Sequence, residues 1–482
     1  MTATTTTTST QRWVLGLASV ASFMVILDML VVATALSTIQ RDLGASLSDL
    51  EWTVNAYTLS FACLILTGAA LGDRLGRRAV FAAGLALFSL ASAGCALAPS
   101  VGWLIAARTV QGAGAALVMP LALALLNAAF PPQRRGWALG VYGAVTGLAA
   151  TVGPVAGGAA TEGLAWQWIF WINVPIGLLA IPPLLARTPE SRGARAPLDL
   201  PALLLSAVAA LGVVWALVRG NAEGWTAPAT LAPLAAGLLA AAGFVLREGR
   251  AAAPMVPLRL FRSRPFAGGN LVVFFANAGL TGAVFFTAQC FQVLYGHGAF
   301  VAGLWLLPLG VAPALVAPRA GALADRFGER ALIVAGTLLL AAGFAWTGLA
   351  ARAGGPYLAL VVPLTLAGTG IISISVATRA VVSRVAPAEM AKAGGIFSTL
   401  RQLGGAFGVA VLGAVFAGAG ETFGTGFRAA MLVAAALALA GTVAGLAVSA
   451  PPRPAAADAP AVPVPAGSAG PVRPGGSRSS SR

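Results

Sequence analysis

The chain has 482 residues, 58% of them hydrophobic and only 9% charged, with a mean hydropathy of +0.86. Soluble domains carry roughly a quarter charged residues, so this composition excludes an ordinary water-soluble protein. The formal charge of +15 invites a nucleic-acid reading, which the placement of the basic residues removes.

The N-terminal MTATTTTTSTQR (1–12) is polar and reads as a disordered tail, and no signal-peptide cleavage pattern accompanies the first apolar run. Apolar segments then recur at 13–36, 51–72, 79–98, 101–126, 137–160, 167–187, 199–219, 230–247, 266–293, 300–322, 331–351, 357–379, 394–418 and 429–450. A membrane helix needs about 20 such residues, so the pattern predicts fourteen spans. The last stretch, 451–482, is rich in Pro, Ala, Gly and Ser and buries too little to fold. Cys63, Cys95 and Cys290 all fall within predicted spans, with no spacing that suits a disulfide framework or a metal site.

An even number of spans puts both termini on one side. With the N-terminus cytoplasmic, 24 Lys/Arg fall in cytoplasmic segments and four outside, Arg41, Arg219, Arg352 and Arg428. The positive-inside rule is satisfied, and the excess charge faces the anionic cytoplasmic leaflet rather than nucleic acid. Of the fifteen acids, eight fall in cytoplasmic segments, six fall outside and one, Asp28, lies well inside a span.

Two loops repeat. GDRLGRR (72–78) joins spans 2 and 3, and ADRFGER (324–330) joins spans 10 and 11. Gly76 and Gly328 suit a tight turn that needs positive φ. Asp73, Arg74, Arg77, Asp325 and Arg326 can bond helix N-termini or a neighbouring segment and so latch two bundles together.

In these loops the chain resembles the major facilitator superfamily, in its 14-span drug:proton antiporter branch, over about residues 13–450. The superfamily pattern G-x-x-x-D-R-x-G-R-R appears as AALGDRLGRR (69–78), with Ala69 at the first Gly, and the second copy carries Glu329 at an Arg position. LIAARTVQGAGAA (104–116) is similar to the fourth-span pattern with its intramembrane Arg. GPVAGG (153–158) resembles the span 5 antiporter motif, in which Pro154 removes a backbone donor and Gly153, Gly157 and Gly158 permit close helix approach. WQWIFWINVPIG (166–177) and RQLGGAFG (401–408) resemble the branch's segments at spans 6 and 13. In span 1, Leu27, Asp28, Val32, Ala35 and Leu36 match L-D-x-T-x-V-N-x-A-L-P, while Leu30, Ala33 and Ser37 depart from it.

The resemblance implies an all-α polytopic membrane protein of the major facilitator fold. Two six-helix bundles (13–188 and 266–450) would flank an inserted pair of spans with a basic loop (189–265), with the binding site between the bundles near the midplane. It implies a proton-coupled antiporter that exports amphipathic drugs or antibiotics from a bacterial plasma membrane, as a monomer, with both termini cytoplasmic. No cofactor is needed, only the proton gradient. A dedicated metabolite or self-resistance exporter, a proton symporter and a non-transporting membrane sensor remain open as rivals.

Helix rise places Asp28 about 12 Å and Arg108 about 10 Å below the same outer surface, so the two can pair. The pair can be a static packing element or a protonation switch, in which burial disfavours the charged acid and the guanidinium favours it. A lone intramembrane acid balances one monovalent cation, which points to neutral or singly charged substrates rather than dications. Arg401, about seven residues into span 13, can snorkel to the inner interface or act as a gate. Asn55, Tyr57, Gln111, Asn277, Gln289 and Gln292, with the phenylalanines of span 9, suit the walls of a large apolar cavity. Enzymatic chemistry has no footing: His297 is the only histidine, no Walker A sequence is present, and QGAGAAL (111–117) lacks the third Gly of a dinucleotide loop.

Overall fold

The computed structural model describes residues 8–193, 199–252, 254–382, 385–386, 389–420 and 422–448. Among these the protein is all-helical, with fourteen helices long and apolar enough to cross a membrane. Spans 1 to 5 are Ser9–Leu43, Leu47–Leu75, Arg77–Ala96, Val101–Ala129 and Pro132–Gly163, and span 6 is broken into Trp168–Trp171 and Asn173–Arg187. Spans 7 to 9 are Leu200–Glu223, Pro228–Arg250 and Arg264–Val293. Span 10 comprises Ala299–Trp305 and Leu307–Phe327, span 11 Glu329–Ala350, and span 12 Leu358–Gly370 with Ile372–Val382. Spans 13 and 14 are Met390–Gly418 and Phe423–Leu446.

Local chemistry sets several boundaries differently from the apolar pattern. The tail expected to be disordered over 1–12 is helical from Ser9, because Thr8 and Gln11 form a capping box and Gln11 Nε2 donates to the Ala129 carbonyl at 3.1 Å. The remainder of that tail and the 451–482 segment lie outside the described residues. Span 2 starts at Leu47 rather than 51, since Ser46 and Asp49 cap it reciprocally. That extra turn carries Glu51 into the protein, where it is 3% exposed. The turns between spans 2 and 3 and between spans 10 and 11 each pivot on one glycine, Gly76 at φ 119° and Gly328 at φ 86°, where a side chain would be strained.

Span 1 packs on spans 5, 4 and 6, span 2 on span 4, and span 3 on spans 4 and 6. The same pairings recur eight spans later: span 9 packs on spans 13, 12 and 14, span 10 on span 12, and span 11 on spans 12 and 14. Spans 7 and 8 pack on each other, and span 7 leans on spans 2 and 13 through Trp52 and Trp215, whose rings lie 5.4 Å apart. The two halves meet along spans 2 and 13 and along spans 5 and 10.

Candidate functional site: a buried charge network beside the seam

Asp28 lies in span 1 with no exposed surface, and every carboxylate oxygen is bonded. Its Oδ2 accepts from Arg108 Nη1 at 2.5 Å, and its Oδ1 accepts from Gln111 Nε2 and Asn173 Nδ2, both at 2.8 Å. Arg108 is 1% exposed, and its Nη1 also reaches Gln111 Oε1 at 2.8 Å while its Nε donates to the Thr53 carbonyl at 3.3 Å. The guanidinium lies over the Tyr57 ring, 4.2 Å from its centroid, a cation–π contact that desolvation strengthens. Ser92 continues the network by accepting from Asn173 Nδ2 at 3.1 Å and donating to the Phe170 carbonyl at 2.8 Å. A charge pair inside a membrane protein survives when its remaining donors and acceptors are met, and here spans 1, 2, 3, 4 and 6 all contribute.

Two of the residues assigned to the cavity walls are thus parts of this network: Gln111 bridges the ion pair and Tyr57 floors it. Of the other four, two are bonded and two have unpartnered atoms. Asn277 donates to the Arg401 carbonyl at 2.7 Å, and Gln292 donates across the seam to the Thr34 carbonyl at 3.1 Å. Asn55 is fully buried with both side-chain polar atoms unpartnered, and the amide nitrogen of Gln289 is likewise unpartnered.

The span 5 motif works by close approach. A Cβ at Gly157 would collide with the Val31 carbonyl of span 1, and one at Gly158 with the Ala299 carbonyl of span 10. Gly153 faces Leu30, and the Pro154 carbonyl accepts from Thr34 Oγ1 at 3.2 Å. Span 5 therefore ties span 1, which carries Asp28, to the opposite half. The contact is confined to the end away from the repeated loops, where Thr151 Oγ1 donates to the Gly310 carbonyl at 3.0 Å and Phe300 N donates to Glu162 at 2.9 Å. Toward the loops the same helical stripe continues through Gly147, Gly143, Gly140 and Gly136. All four are exposed, and no neighbouring atom lies within 4 Å of where their Cβ would stand. The seam between spans 5 and 10 is shut at one end and parted at the other.

The repeated loops bond within their own halves in this conformation, not across the two bundles. Asp73 pairs with Arg77 at 2.7 Å, and its carbonyl accepts from Gly193 N at 3.1 Å. Glu190, in the strap after span 6, accepts from Arg78 N and Ala79 N at 2.9 and 3.2 Å, capping span 3 where its backbone donors are free. In the second copy Asp325 pairs with Arg379 of span 12 at 2.6 Å, and Arg379 also reaches Glu329 at 3.6 Å. Arg74 is exposed, and Arg326 lies over the Phe327 ring.

Span 13 begins at Met390, so Arg401 stands eleven residues, or about 16 Å of helix, from its start. Three residues escaped the sequence reading. Asn173 sits just past the break in span 6, Glu190 follows the last apolar turn of that span, and Glu51 was counted outside the membrane. Glu51 is a second buried acid, in the second turn of span 2.

Comparison with known proteins places the chain. The sequence profile of the Major Facilitator Superfamily matches residues 18–409 and, in a second stretch, 309–475. The chain is 38% identical over 403 residues to the Tetracenomycin C resistance and export protein of Streptomyces glaucescens, covering 83% of this chain and 74% of that one. It is 39% identical over 398 residues to the Methylenomycin A resistance protein of Streptomyces coelicolor, covering 81% and 83% of the two. Among solved structures it superposes on a POT family transporter crystallised with a thioalcohol conjugated peptide. The TM-score is 0.68 over 90% of this chain and 94% of that one, and at 14% identity this likeness speaks to the fold alone. The buried charge network, the repeated loops and the fourteen spans therefore belong to a multi-pass membrane transporter, not an enzyme, and the chain is a member of the major facilitator superfamily.

Proposed function

We propose that the protein is a proton-coupled exporter of amphipathic small molecules that works by alternating access. Support comes from the roles its relatives are named for, resistance and export, and from one structural observation that carries the coupling: the Asp28–Arg108 pair, buried and hydrogen-bonded. A proton placed on Asp28 Oδ2 removes the negative charge and the acceptor for Arg108 Nη1. Arg108 keeps Gln111 Oε1, the Thr53 carbonyl and the Tyr57 ring, so the guanidinium stays seated while its hold on span 1 relaxes. Gln111 and Asn173 donate to the other oxygen, Oδ1, and keep the carboxyl in register in either protonation state. Span 1 is free to shift with span 5 through Gly157, and the parted stripe of Gly136, Gly140, Gly143 and Gly147 is the surface on which the loop-face end can close.

In this reading both termini and the repeated loops face the cytoplasm of a bacterial cell, the conformation is open inward, and the protein works as a monomer driven by the proton gradient alone. Asp73, Arg77, Asp325 and Arg326 brace the loop-face ends, and the loop glycines set their turns. Asn55 and Gln289 supply cavity polarity. A narrower reading, a dedicated self-resistance exporter for one antibiotic, is favoured by the single compounds named in the Streptomyces relatives.

The test is efflux of a fluorescent substrate from loaded proteoliposomes with and without an imposed pH gradient. Antiport predicts faster movement when protons flow against the substrate. Faster movement when they flow with it would mean symport, and no movement under either gradient would mean a protein that does not transport.

A further inference from the structure

The charges in the interior are not all paired, and the unpaired cation sits on the seam. Asp28 is saturated: Arg108, Gln111 and Asn173 use both of its oxygens, leaving no free carboxylate there for a cationic ligand. Glu51 is sealed at the closed end, its carboxylate packed against Gly413 of span 13. Arg401 has neither kind of constraint. Among the described residues no acceptor bonds its guanidinium and no acid pairs with it, although it lies about 16 Å from the start of its helix. It retains intermediate exposure, and its charge acts on Tyr142 of span 5 in the opposite half. Tyr142 has already given its hydroxyl hydrogen to Ser22 Oγ at 2.9 Å.

The next residue adds a second observation. Gln402 is 2% exposed, its Oε1 has no partner, and its Nε2 reaches only the Met29 thioether of span 1 at 3.8 Å. A buried amide spent on a thioether is an unfilled polar site. Arg401 and Gln402 thus present an uncompensated cation and an available amide to spans 1 and 5. An unpaired guanidinium at this depth is expensive, and a ligand that brings a negative charge relieves the cost.

We propose that Arg401 and Gln402 form the anchor for the acidic group of the transported molecule, and that the preferred substrates are amphipathic organic anions, a carboxylate or phenolate on an apolar body. This rests on the export reading and differs from the expectation of neutral or singly charged substrates, drawn from a lone acid that balances one monovalent cation.

Two xanthene dyes of similar size and opposite charge, fluorescein and rhodamine 6G, provide the test by fluorescence polarisation on the full-length protein in nanodiscs. The wild type is expected to bind fluorescein about tenfold or more tighter than rhodamine 6G. Arg401→Gln loses about tenfold or more of the fluorescein affinity, the effect of removing a charged hydrogen bond, without weakening rhodamine 6G. Arg401→Lys, which keeps the charge and the fold, retains part of the preference. Wild-type binding of neither dye, a preference for the cation, or an equal loss of both dyes in Arg401→Gln overturns the proposal. Charge-selective binding that depends on Arg401, with no movement of either dye in proteoliposomes, would leave the site standing and refute the export reading instead.

Discussion

Replacing Arg108 with Gln removes the one cation that bonds Asp28 among the described residues and leaves its carboxylate at full burial with two amide donors. Breaking one partner from a buried pair costs about 3–5 kcal/mol, because the remaining charge is uncompensated. Asp28→Asn is expected to destabilise as well, since Arg108 then keeps only Gln111, the Thr53 carbonyl and the Tyr57 ring. In the double variant Asp28→Asn/Arg108→Gln no unpaired charge remains. It should therefore be more stable than the sum of the single losses, by an interaction energy near the upper end of about 0.5–3 kcal/mol. Cys95 and Cys290 are buried and Cys63 is half-buried, so a thiol-reactive fluorophore followed during heating reports unfolding without introduced cysteines. Strict additivity of the two single losses would refute the reasoning, because it would mean that the two charges do not stabilise each other across spans 1 and 4.

Further expectations follow from single contacts. Gly158→Leu places a side chain against the Ala299 carbonyl, so the closed end of the seam cannot form, and substrate uptake into inside-out vesicles should be abolished while expression persists. Glu51→Gln removes the chance of a buried charge against Gly413 and is expected to leave transport intact and the melting temperature equal or higher in the same thiol assay. A loss of gradient-driven transport in that variant would assign Glu51 to coupling instead. Glu190→Ala removes the acceptor for two backbone donors at the start of span 3 and should cost about 1 kcal/mol, read as a lower melting temperature.

The parts legible from the residues were those governed by length and rise. Apolar segments of about 20 residues reveal fourteen spans, and 1.5 Å per residue puts Asp28 and Arg108 at one depth before any fold is known. Gly76 and Gly328 could be read because only a positive φ explains a glycine in each copy of a repeated turn. The rest depends on which way a helix face turns. Asn173 joins Asp28 only because span 6 breaks at Ile172, and periodicity does not carry across a break. Glu51 stands within span 2 rather than at its end because Ser46 and Asp49 begin the helix a turn early, a capping pattern that is written in SLSD but is invisible to hydropathy. Tyr57 and Gln111 read as generic wall residues until span 4 packs on span 2 and brings a guanidinium over the ring. The reach of Asp73 and Asp325 was overdrawn for a related reason: the strap after span 6 and Arg379 of span 12 are nearer partners than the opposite half.

The central claim is that Asp28 carries the proton, and the most direct measurement separates exchange from accumulation in Asp28→Asn. Purified protein in proteoliposomes is assayed for substrate exchange without a gradient and for accumulation against a concentration gradient under an imposed pH gradient. The account predicts that Asp28→Asn still exchanges substrate but accumulates none, whatever the pH difference. Accumulation by that variant at the wild-type level would contradict it.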